Sequence, residues 1–250
     1  MNTKAEGKWP ETRWNLFDPA ALYLASVVLG IGILFLMSKL GMPTNVGYEG
    51  ILDKRATYAQ LTYEGVKFLA TVTVFSLLMI VWRRASWASM GFRRPERSLE
   101  AAGVVCALAP LLWFFEWRSL GGRAVTDGGV WELPADLVPY GSLLSTITGT
   151  LIVIGFFAVL TSIVEETLFR GLLYHHLRSR MRWWLAVPIS AAVFAGLHRW
   201  ESSDLWSAFI TGVACAVLVE RYRSLYVAMA LHGLQNAAYV ALSRLHGLTG

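Results

Sequence analysis

Charged residues are scarce in this chain of 250 residues. Asp, Glu, Lys and Arg make up 16% of it, whereas 55% is hydrophobic, and a soluble domain normally carries about a quarter charged residues. This deficit excludes an ordinary soluble domain and predicts one integral membrane domain over residues 1–250. The net charge of +5 could suggest nucleic acid, but the basic residues are placed as membrane topology requires. We therefore expect no nucleic-acid partner.

Cysteine and several common catalytic signatures are rare or absent as well. The two cysteines, Cys106 and Cys215, lie inside apolar runs, which favours reduced core residues over a disulfide or a metal pair. The sequence contains no HExxH zinc-protease pattern, no GxSxG nucleophile elbow, no P-loop and no GxGxxG motif. Hydrolysis or nucleotide binding of those common types is therefore not indicated.

Long apolar runs are what the sequence has instead. A run of about 20 residues spans a bilayer as a helix. The run at 141–177 is longer than this, so it is tilted, broken or divided into two helices. A signal peptide is the alternative for the first run, but such a peptide has a shorter apolar region and a small-residue cleavage site. We predict an all-α polytopic membrane bundle of seven to eight transmembrane helices, from runs at 19–40, 65–82, 99–115, 141–177, 183–198, 205–219 and 225–242.

Arginine and lysine are concentrated in alternate connecting segments. Cytoplasmic loops of membrane proteins are enriched in these residues, so the N-terminus is predicted to be cytoplasmic, with residues 83–97, 178–182 and 221–223 on the same side. The segment at 116–140, which holds four acidic residues, is then outside. The cluster at 83–97 is most simply a topology signal, and attraction to anionic lipid or to an acidic partner is the alternative.

Two adjacent carboxylates and a guanidinium lie within the fourth apolar run. Charge at bilayer depth is costly and usually faces a bundle interior or a water-filled cavity. On a helix, Glu166 and Arg170 are i,i+4 neighbours and can pair, so we assign them a structural role. Glu165 is rotated from Glu166 by about 100° and has no partner in its own segment, which leaves it as the candidate for chemistry.

Other polar residues reach a similar depth from two further runs. At about 1.5 Å per helical residue, Glu165 and His198 lie roughly 20 Å from the cytoplasmic ends of their runs, and His232 and Asn236 roughly 10–17 Å. A carboxylate can take a proton from water and give it to a leaving amine. Imidazole and amide groups can orient that water or stabilise an oxyanion. Phe194, one turn before His198, gives its imidazole an apolar neighbour.

Three motifs carry a resemblance to a known family. They read EExxxR at 165–170, FxxxH at 194–198 and HxxxN at 232–236, each on its own run. This ordered set resembles the CPBP family, which comprises type II CAAX prenyl endopeptidases and bacteriocin-processing proteins and is also called the ABI family. The resemblance covers roughly residues 141–242, the family-like catalytic core, and MGFR at 90–93 resembles the family's LGF-type loop.

The resemblance implies an intramembrane endopeptidase that acts on membrane-anchored protein or peptide substrates in the lipid bilayer. By the family pattern Glu165 activates water, and His198, His232 and Asn236 complete the catalytic site, with Glu166, Arg170 and Phe194 as structural support. We favour a glutamate mechanism without metal or other cofactor. The alternative is a zinc ion held by Glu165, His198 and His232, since zinc takes nitrogen and oxygen ligands and keeps one position for water. The expected location is a bacterial inner membrane.

Two other functions stay open at this point. One is a catalytically silent family member that acts as a membrane scaffold or immunity protein. The other is a transporter, since intramembrane acids also mark ion paths, although the sequence shows no inverted repeat. The sequence specifies neither the substrate nor the oligomeric state.

Several further residues receive non-catalytic predictions. Trp14 and other tryptophans near run ends are expected in interfacial belts. His175 and His176 are expected to be interfacial polar residues, and Glu220 with Arg221 a solvated helix end. Small residues at 212 and 216 in the sixth run predict a close-packing helix face.

Overall fold

The computed structural model is all-helical wherever the chain is described, which covers residue 9 and residues 11–40, 66, 70–119, 154–198 and 205–249. No strand occurs in these ranges. The all-α prediction is therefore confirmed. We label the helices α1 Phe17–Lys39, α2 Ala70–Trp82, α3 Ser98–Ser119, α4 154–178, α5 Trp183–His198, α6 Leu205–Tyr222 and α7 Leu225–Thr249.

Each helix overlaps one of the predicted apolar runs, and α3 and α7 extend several residues past the predicted ends. Among the described residues, α1 and α6 are long and apolar enough to cross a membrane, and α2, α3 and α5 contain shorter apolar helices. The number of crossings thus stays a prediction. Residues 141–153, where a second helix of the long fourth run would begin, lie outside the described part of the chain.

Helix α4 is the most enclosed element of the bundle. Every residue from 166 to 178 is buried. Stretches Ile154–Leu160 and Thr167–Tyr174 have i to i+5 hydrogen bonding, and they flank the ordinary α-helical stretch Thr161–Glu166. Such π-type stretches are rare in helices and frequent at functional sites. The two adjacent carboxylates therefore end a short regular segment between two widened ones.

Helices α5, α6 and α7 enclose α4. The predicted small-residue face of α6 packs against α5, where a Cβ at Gly212 would lie 3.0 Å from both Cα and Cβ of Ala191. Helix α7 packs against α3, α4 and α6. Cys215 is buried in this packing, but Cys106 on α3 is exposed. The prediction of a core position for both cysteines was wrong for Cys106, although both are free thiols.

The loop at 90–93 joins three elements at the arginine-bearing end of the bundle. Gly91 has φ +97°, and a Cβ there would lie 2.9 Å from His175 Cε1, so only glycine fits without rearrangement. Its carbonyl accepts a hydrogen bond from the backbone N–H of Leu225 at 2.8 Å. The loop thereby fixes the start of α7 against the end of α4.

The segment before α1 belongs to the core, contrary to the prediction. Trp14 is 2% exposed, and its indole N–H donates to the carbonyl of Leu172 at 2.9 Å. His176 Nδ1 lies 3.0 Å from the Trp14 carbonyl, and the Trp9 ring packs on His175 with centroids 4.5 Å apart. Trp14 is therefore not interfacial, and the two histidines are buried because this segment covers them.

Helix α1 contacts the bundle along one narrow stripe. Its buried positions are Asp18, Leu22, Ser26 and Gly30, spaced by four residues as one helix face requires. Beyond Gly30 none of its described side chains is buried. The helix therefore presents most of its apolar surface to its surroundings.

Candidate active site

A fully buried carboxylate, that of Glu166, is the centre of the polar cluster. Its Oε1 accepts hydrogen bonds from Arg170 Nη1 and from His232 Nδ1, each at 2.9 Å. The first contact is the predicted i,i+4 pair. The second links α4 to α7 and was not predicted, because the sequence places Glu166 and His232 on different helices with no indication of which carboxylate meets the imidazole.

Arg170 has a partner for each of its two terminal nitrogens, whereas its buried Nε has no hydrogen-bond partner among the described residues. The guanidinium is 1% exposed, donates from Nη2 to the carbonyl of Gly212 at 3.1 Å, and has its Cζ 4.4 Å from the Phe194 ring centroid. A buried charge is tolerated when it is paired and hydrogen-bonded, and an aromatic face adds cation–π attraction. Arg170 therefore joins α4, α5 and α6 around Glu166.

Phe194 has a neighbour that the motif alone did not reveal. Its ring is edge-on to the His232 imidazole, with centroids 5.9 Å apart, as well as over Arg170. The sequence predicted Phe194 as a neighbour of His198. The His198 backbone ends α5, but its side chain lies outside the described residues, so that contact and its catalytic assignment remain predictions.

The contact with Glu166 fixes the orientation of His232. An ionised carboxylate can only accept a hydrogen bond, so Nδ1 carries the proton in this contact. In the neutral imidazole, Nε2 then bears the lone pair. That Nε2 lies 3.8 Å from Oε2 of Glu165. The predicted catalytic carboxylate and the predicted catalytic histidine are thus brought together, and the buried neighbour carboxylate holds the histidine in place.

Glu165 is the more open of the two carboxylates. Its side chain is 20% exposed, against 0% for Glu166. The 3.8 Å separation from His232 Nε2 is too long for a direct hydrogen bond, and it is short enough for one water to contact both atoms. The Glu165 carboxylate and the His232 imidazole can therefore bind the same water molecule.

Asn236 lies one turn beyond His232 on α7 and is half-buried. The position between them in the same turn, Gln235, makes a contact that the sequence did not predict. Gln235 Oε1 and Nε2 each lie 3.1 Å from the hydroxyl oxygen of Thr211 on α6, and both side chains are buried. This pair fixes the turn of α7 that carries His232 and Asn236. A polar residue on each of two packed apolar helices is the signal that could have indicated it.

Glu220 is not the solvated helix end that was predicted. It accepts hydrogen bonds from Tyr174 Oη at 2.7 Å and from Arg178 Nε at 3.1 Å, and Arg223 Nη2 lies 3.8 Å away. The adjacent Arg221 does face outward, because neighbours on a helix point in directions about 100° apart. Glu220 therefore ties the end of α6 to the end of α4.

The described residues contain no group of three His, Cys, Asp or Glu placed to hold a metal ion. The third predicted ligand, His198, has no described side chain. The two that are described suit a zinc ion in part. Donors bound at about 2.0–2.2 Å in a tetrahedral site are about 3.4 Å apart, close to the 3.8 Å between Glu165 Oε2 and His232 Nε2. A small side-chain movement would let both ligate.

Comparison with known proteins gives one match. Residues 147–238 match the family model described as Type II CAAX prenyl endopeptidase Rce1-like, and this range includes all three motifs. No curated protein and no solved structure gave a match. Members of this family are membrane-embedded, which agrees with the apolar helices of the bundle. Over residues 147–238 the chain therefore carries an Rce1-like domain of the type II CAAX prenyl endopeptidase family, in agreement with the CPBP resemblance of its motifs.

Proposed function

We propose that the chain is an intramembrane endopeptidase that hydrolyses peptide bonds of membrane-associated proteins or peptides, with Glu165 as the residue that activates water. The family match supports a CAAX-type protease. The observation that carries the mechanism is the facing of Glu165 Oε2 and His232 Nε2 at 3.8 Å, with the other imidazole nitrogen bound to Glu166 at 2.9 Å.

The two groups divide the handling of one water molecule. The water donates one hydrogen bond to the Glu165 carboxylate and one to the lone pair of His232 Nε2. As its oxygen attacks the substrate carbonyl carbon, the proton moves to Glu165, and the carbonyl oxygen becomes an oxyanion. Glu165 then gives this proton to the amine nitrogen as the C–N bond breaks, so the carboxylate is regenerated.

His198 and Asn236 take the remaining roles in the proposal. Asn236 lies one turn beyond His232 on α7, and His198 is the last residue of α5. An amide or an imidazole N–H can donate to a developing oxyanion. Asn236 is suited to donation because its side-chain amide carries two N–H groups. His198 is assigned on its motif position alone.

The proposal is a glutamate mechanism without metal, and zinc is the alternative. Glu165 and His232 would be two of the ligands, with His198 as the third. When bound, the ion would polarise the substrate carbonyl or lower the pKa of a bound water. The contact between Glu166 and His232 supports either version, because a carboxylate on the far nitrogen orients an imidazole for a water or for a metal.

The experiment is a proteomic comparison of membranes from cells that contain either the wild-type protein or the Glu165→Gln variant. We expect membrane-associated proteins that are shortened with the wild type and intact with the variant. Glu100→Gln is the matched control, because it makes the same change at a half-exposed carboxylate that pairs with Arg97 and Arg221, outside the polar cluster. Identical membrane proteomes for wild type and Glu165→Gln would favour a silent scaffold and reject the protease.

The orientation remains a proposal based on arginine placement. Reporter fusions at Pro95 and Arg180 should be cytoplasmic, and a fusion at Gly128 should be external. A cytoplasmic signal at Gly128 would overturn the topology, while leaving the chemistry at Glu165 untouched.

A further inference from the structure

The arginines at one end of the bundle fall into two groups. In the first group each guanidinium pairs with a carboxylate: Arg83 with Asp18, Arg97 and Arg221 with Glu100, and Arg178 and Arg223 with Glu220. In the second group are arginines that form no ion pair with any described residue and are exposed, namely Arg13, Arg84, Arg93, Arg94, Arg180 and Arg182. Their positive charge is therefore available to an outside partner.

Three members of the second group, Arg13, Arg84 and Arg180, come from three separate segments that hydrogen bonds hold together. Arg13 Nη1 donates to the backbone carbonyl of Arg84 at 2.7 Å. Arg180 Nη1 lies 3.5 Å from the hydroxyl of Thr12, the residue next to Arg13, and 3.3 Å from the carbonyl of His176. A topology signal requires only positive charge in a loop. It does not require that arginines from three segments, those before α1, after α2 and after α4, lie close together.

Large apolar side chains are exposed directly beside these charges. Phe17, four residues after Arg13 and the first residue of α1, is 78% exposed, and Trp82, two residues before Arg84, is 76% exposed. The ion pair between Arg83 and Asp18 at 2.8 Å holds the start of α1 beside the end of α2, so both aromatic residues flank the same charged site. A free phosphate ion or an acidic peptide has no need of such apolar neighbours. A lipid has both a charged headgroup and acyl chains. Tryptophan at a helix end suits its interfacial region, and the apolar phenylalanine ring suits its acyl chains.

We propose that Arg13, Arg84 and Arg180 form a binding site for the headgroup of an anionic phospholipid, with Phe17 and Trp82 against its acyl chains. Guanidinium groups bind phosphate through charge-assisted hydrogen bonds, and basic pockets between helices at a membrane surface are suited to anionic headgroups. Arg180 lies two residues past the end of α4 and donates to the carbonyl of His176, so the site adjoins the helix that carries Glu165.

The test is a titration of the detergent-solubilised full chain with phosphatidylglycerol or with phosphatidylcholine of the same acyl chains. Bound lipid is counted by native mass spectrometry, and the thermal unfolding midpoint is followed with lipid concentration. We expect the wild type to retain phosphatidylglycerol in preference to phosphatidylcholine, and its unfolding midpoint to rise with phosphatidylglycerol concentration. The double variant Arg13→Gln, Arg180→Gln should lower the apparent affinity about 30-fold, from two lost attractions to an anionic headgroup.

The control is the double variant Arg97→Gln, Arg221→Gln, which loses the same number of charges from arginines that are already paired. Its affinity for phosphatidylglycerol should stay within about threefold of the wild type. Unfolding midpoints in phosphatidylcholine establish that both variants fold. Equal loss in the two variants would overturn the site in favour of general surface charge. Displacement of the lipid by inorganic phosphate, or binding of an acidic peptide without preference for phosphatidylglycerol, would also reject it.

Discussion

His232 contacts both adjacent carboxylates of α4, through different nitrogen atoms. Nδ1 lies 2.9 Å from Glu166 Oε1, and Nε2 lies 3.8 Å from Glu165 Oε2. The motif by itself presents Glu166 as a partner of Arg170 only. The contact gives Glu166 a second task, which is to hold the imidazole so that its lone pair faces the carboxylate proposed to activate water.

Replacing each carboxylate by its amide separates their roles. Glu165→Gln keeps shape and hydrogen bonding but cannot accept a proton, so the protein should fold and lose turnover by about 10²–10⁴-fold. Glu166→Gln should instead lower stability as well as rate, because Arg170 loses its buried counter-charge. The measurement is the initial rate on a membrane-embedded substrate with matched amounts of folded enzyme. A Glu165→Gln rate near wild type would end the assignment of Glu165 as the base.

Loss of the other predicted site residues should follow a non-additive pattern. His232→Ala and His198→Ala should each fall about as far as Glu165→Gln, and combining one of them with Glu165→Gln should add little, because residues that act as a unit are not additive. Asn236→Ala should lose about 10²–10³-fold if it donates to the oxyanion. Rates of single and double variants on one substrate decide this. Losses that multiply would show that these residues act independently.

Removing Arg170 should destabilise the fold. Arg170→Ala leaves Glu166 buried without its cation, and breaking such a pair typically lowers stability by about 3–5 kcal/mol. The double variant Arg170→Met, Glu166→Leu removes both charges and should recover part of the lost thermal midpoint, although not activity. Arg221→Ala, at an exposed arginine, is the control and should change the midpoint little. A normal midpoint for Arg170→Ala would contradict the structural role.

Chelation distinguishes the two versions of the mechanism. If the enzyme is metal-free, extensively chelated protein should keep its rate, and elemental analysis of the purified protein should find no stoichiometric zinc. Loss of activity on chelation with recovery on zinc addition would assign Glu165, His198 and His232 as ligands. Retention of zinc by wild type but not by His232→Ala would give the same answer without any activity measurement.

The contacts of Glu220 predict a stability role far from the chemistry. Glu220→Gln weakens the acceptor of Tyr174 and Arg178, and hydrogen bonds to charged groups are worth about 1.5–3 kcal/mol each. Its thermal midpoint should fall further than that of Glu100→Gln, whose carboxylate is more exposed. Rate per folded molecule should be unchanged. Equal midpoints for the two variants would contradict this role and would support the prediction that Glu220 is a solvated residue at a helix end.

Helix positions and the principal polar pair could be predicted from the sequence because both depend on local spacing. Each apolar run overlaps one helix, although α3 and α7 extend past their runs, and Glu166 and Arg170 are one turn apart on the same helix. The partner of His232 could not be predicted in this way. The two adjacent carboxylates differ only in their direction around α4. Which of them His232 binds depends on how α7 packs and on the widened stretches of α4, and no local sequence pattern specifies either.

The errors have a similar cause. Trp14 and Glu220 follow common rules for residues near helix ends, but each is enclosed by a segment distant in sequence. A burial that depends on long-range contacts has no signature within a window of ten residues. A buried aromatic N–H or carboxylate requires a specific partner, and that partner is visible only once the helices are assembled.

The narrow contact stripe of α1 makes this helix responsive to the bilayer itself. A helix that is mostly surrounded by lipid adjusts its tilt to the thickness of the hydrocarbon layer. Trp14, just before α1, donates to the carbonyl of Leu172 on α4, only six residues past Glu166. We expect this contact to pass changes of tilt to the helix that carries the carboxylates. The acyl-chain length of the lipid should therefore alter the proteolytic rate of the wild type more than that of Trp14→Phe. This variant keeps an aromatic ring but cannot donate the hydrogen bond to Leu172.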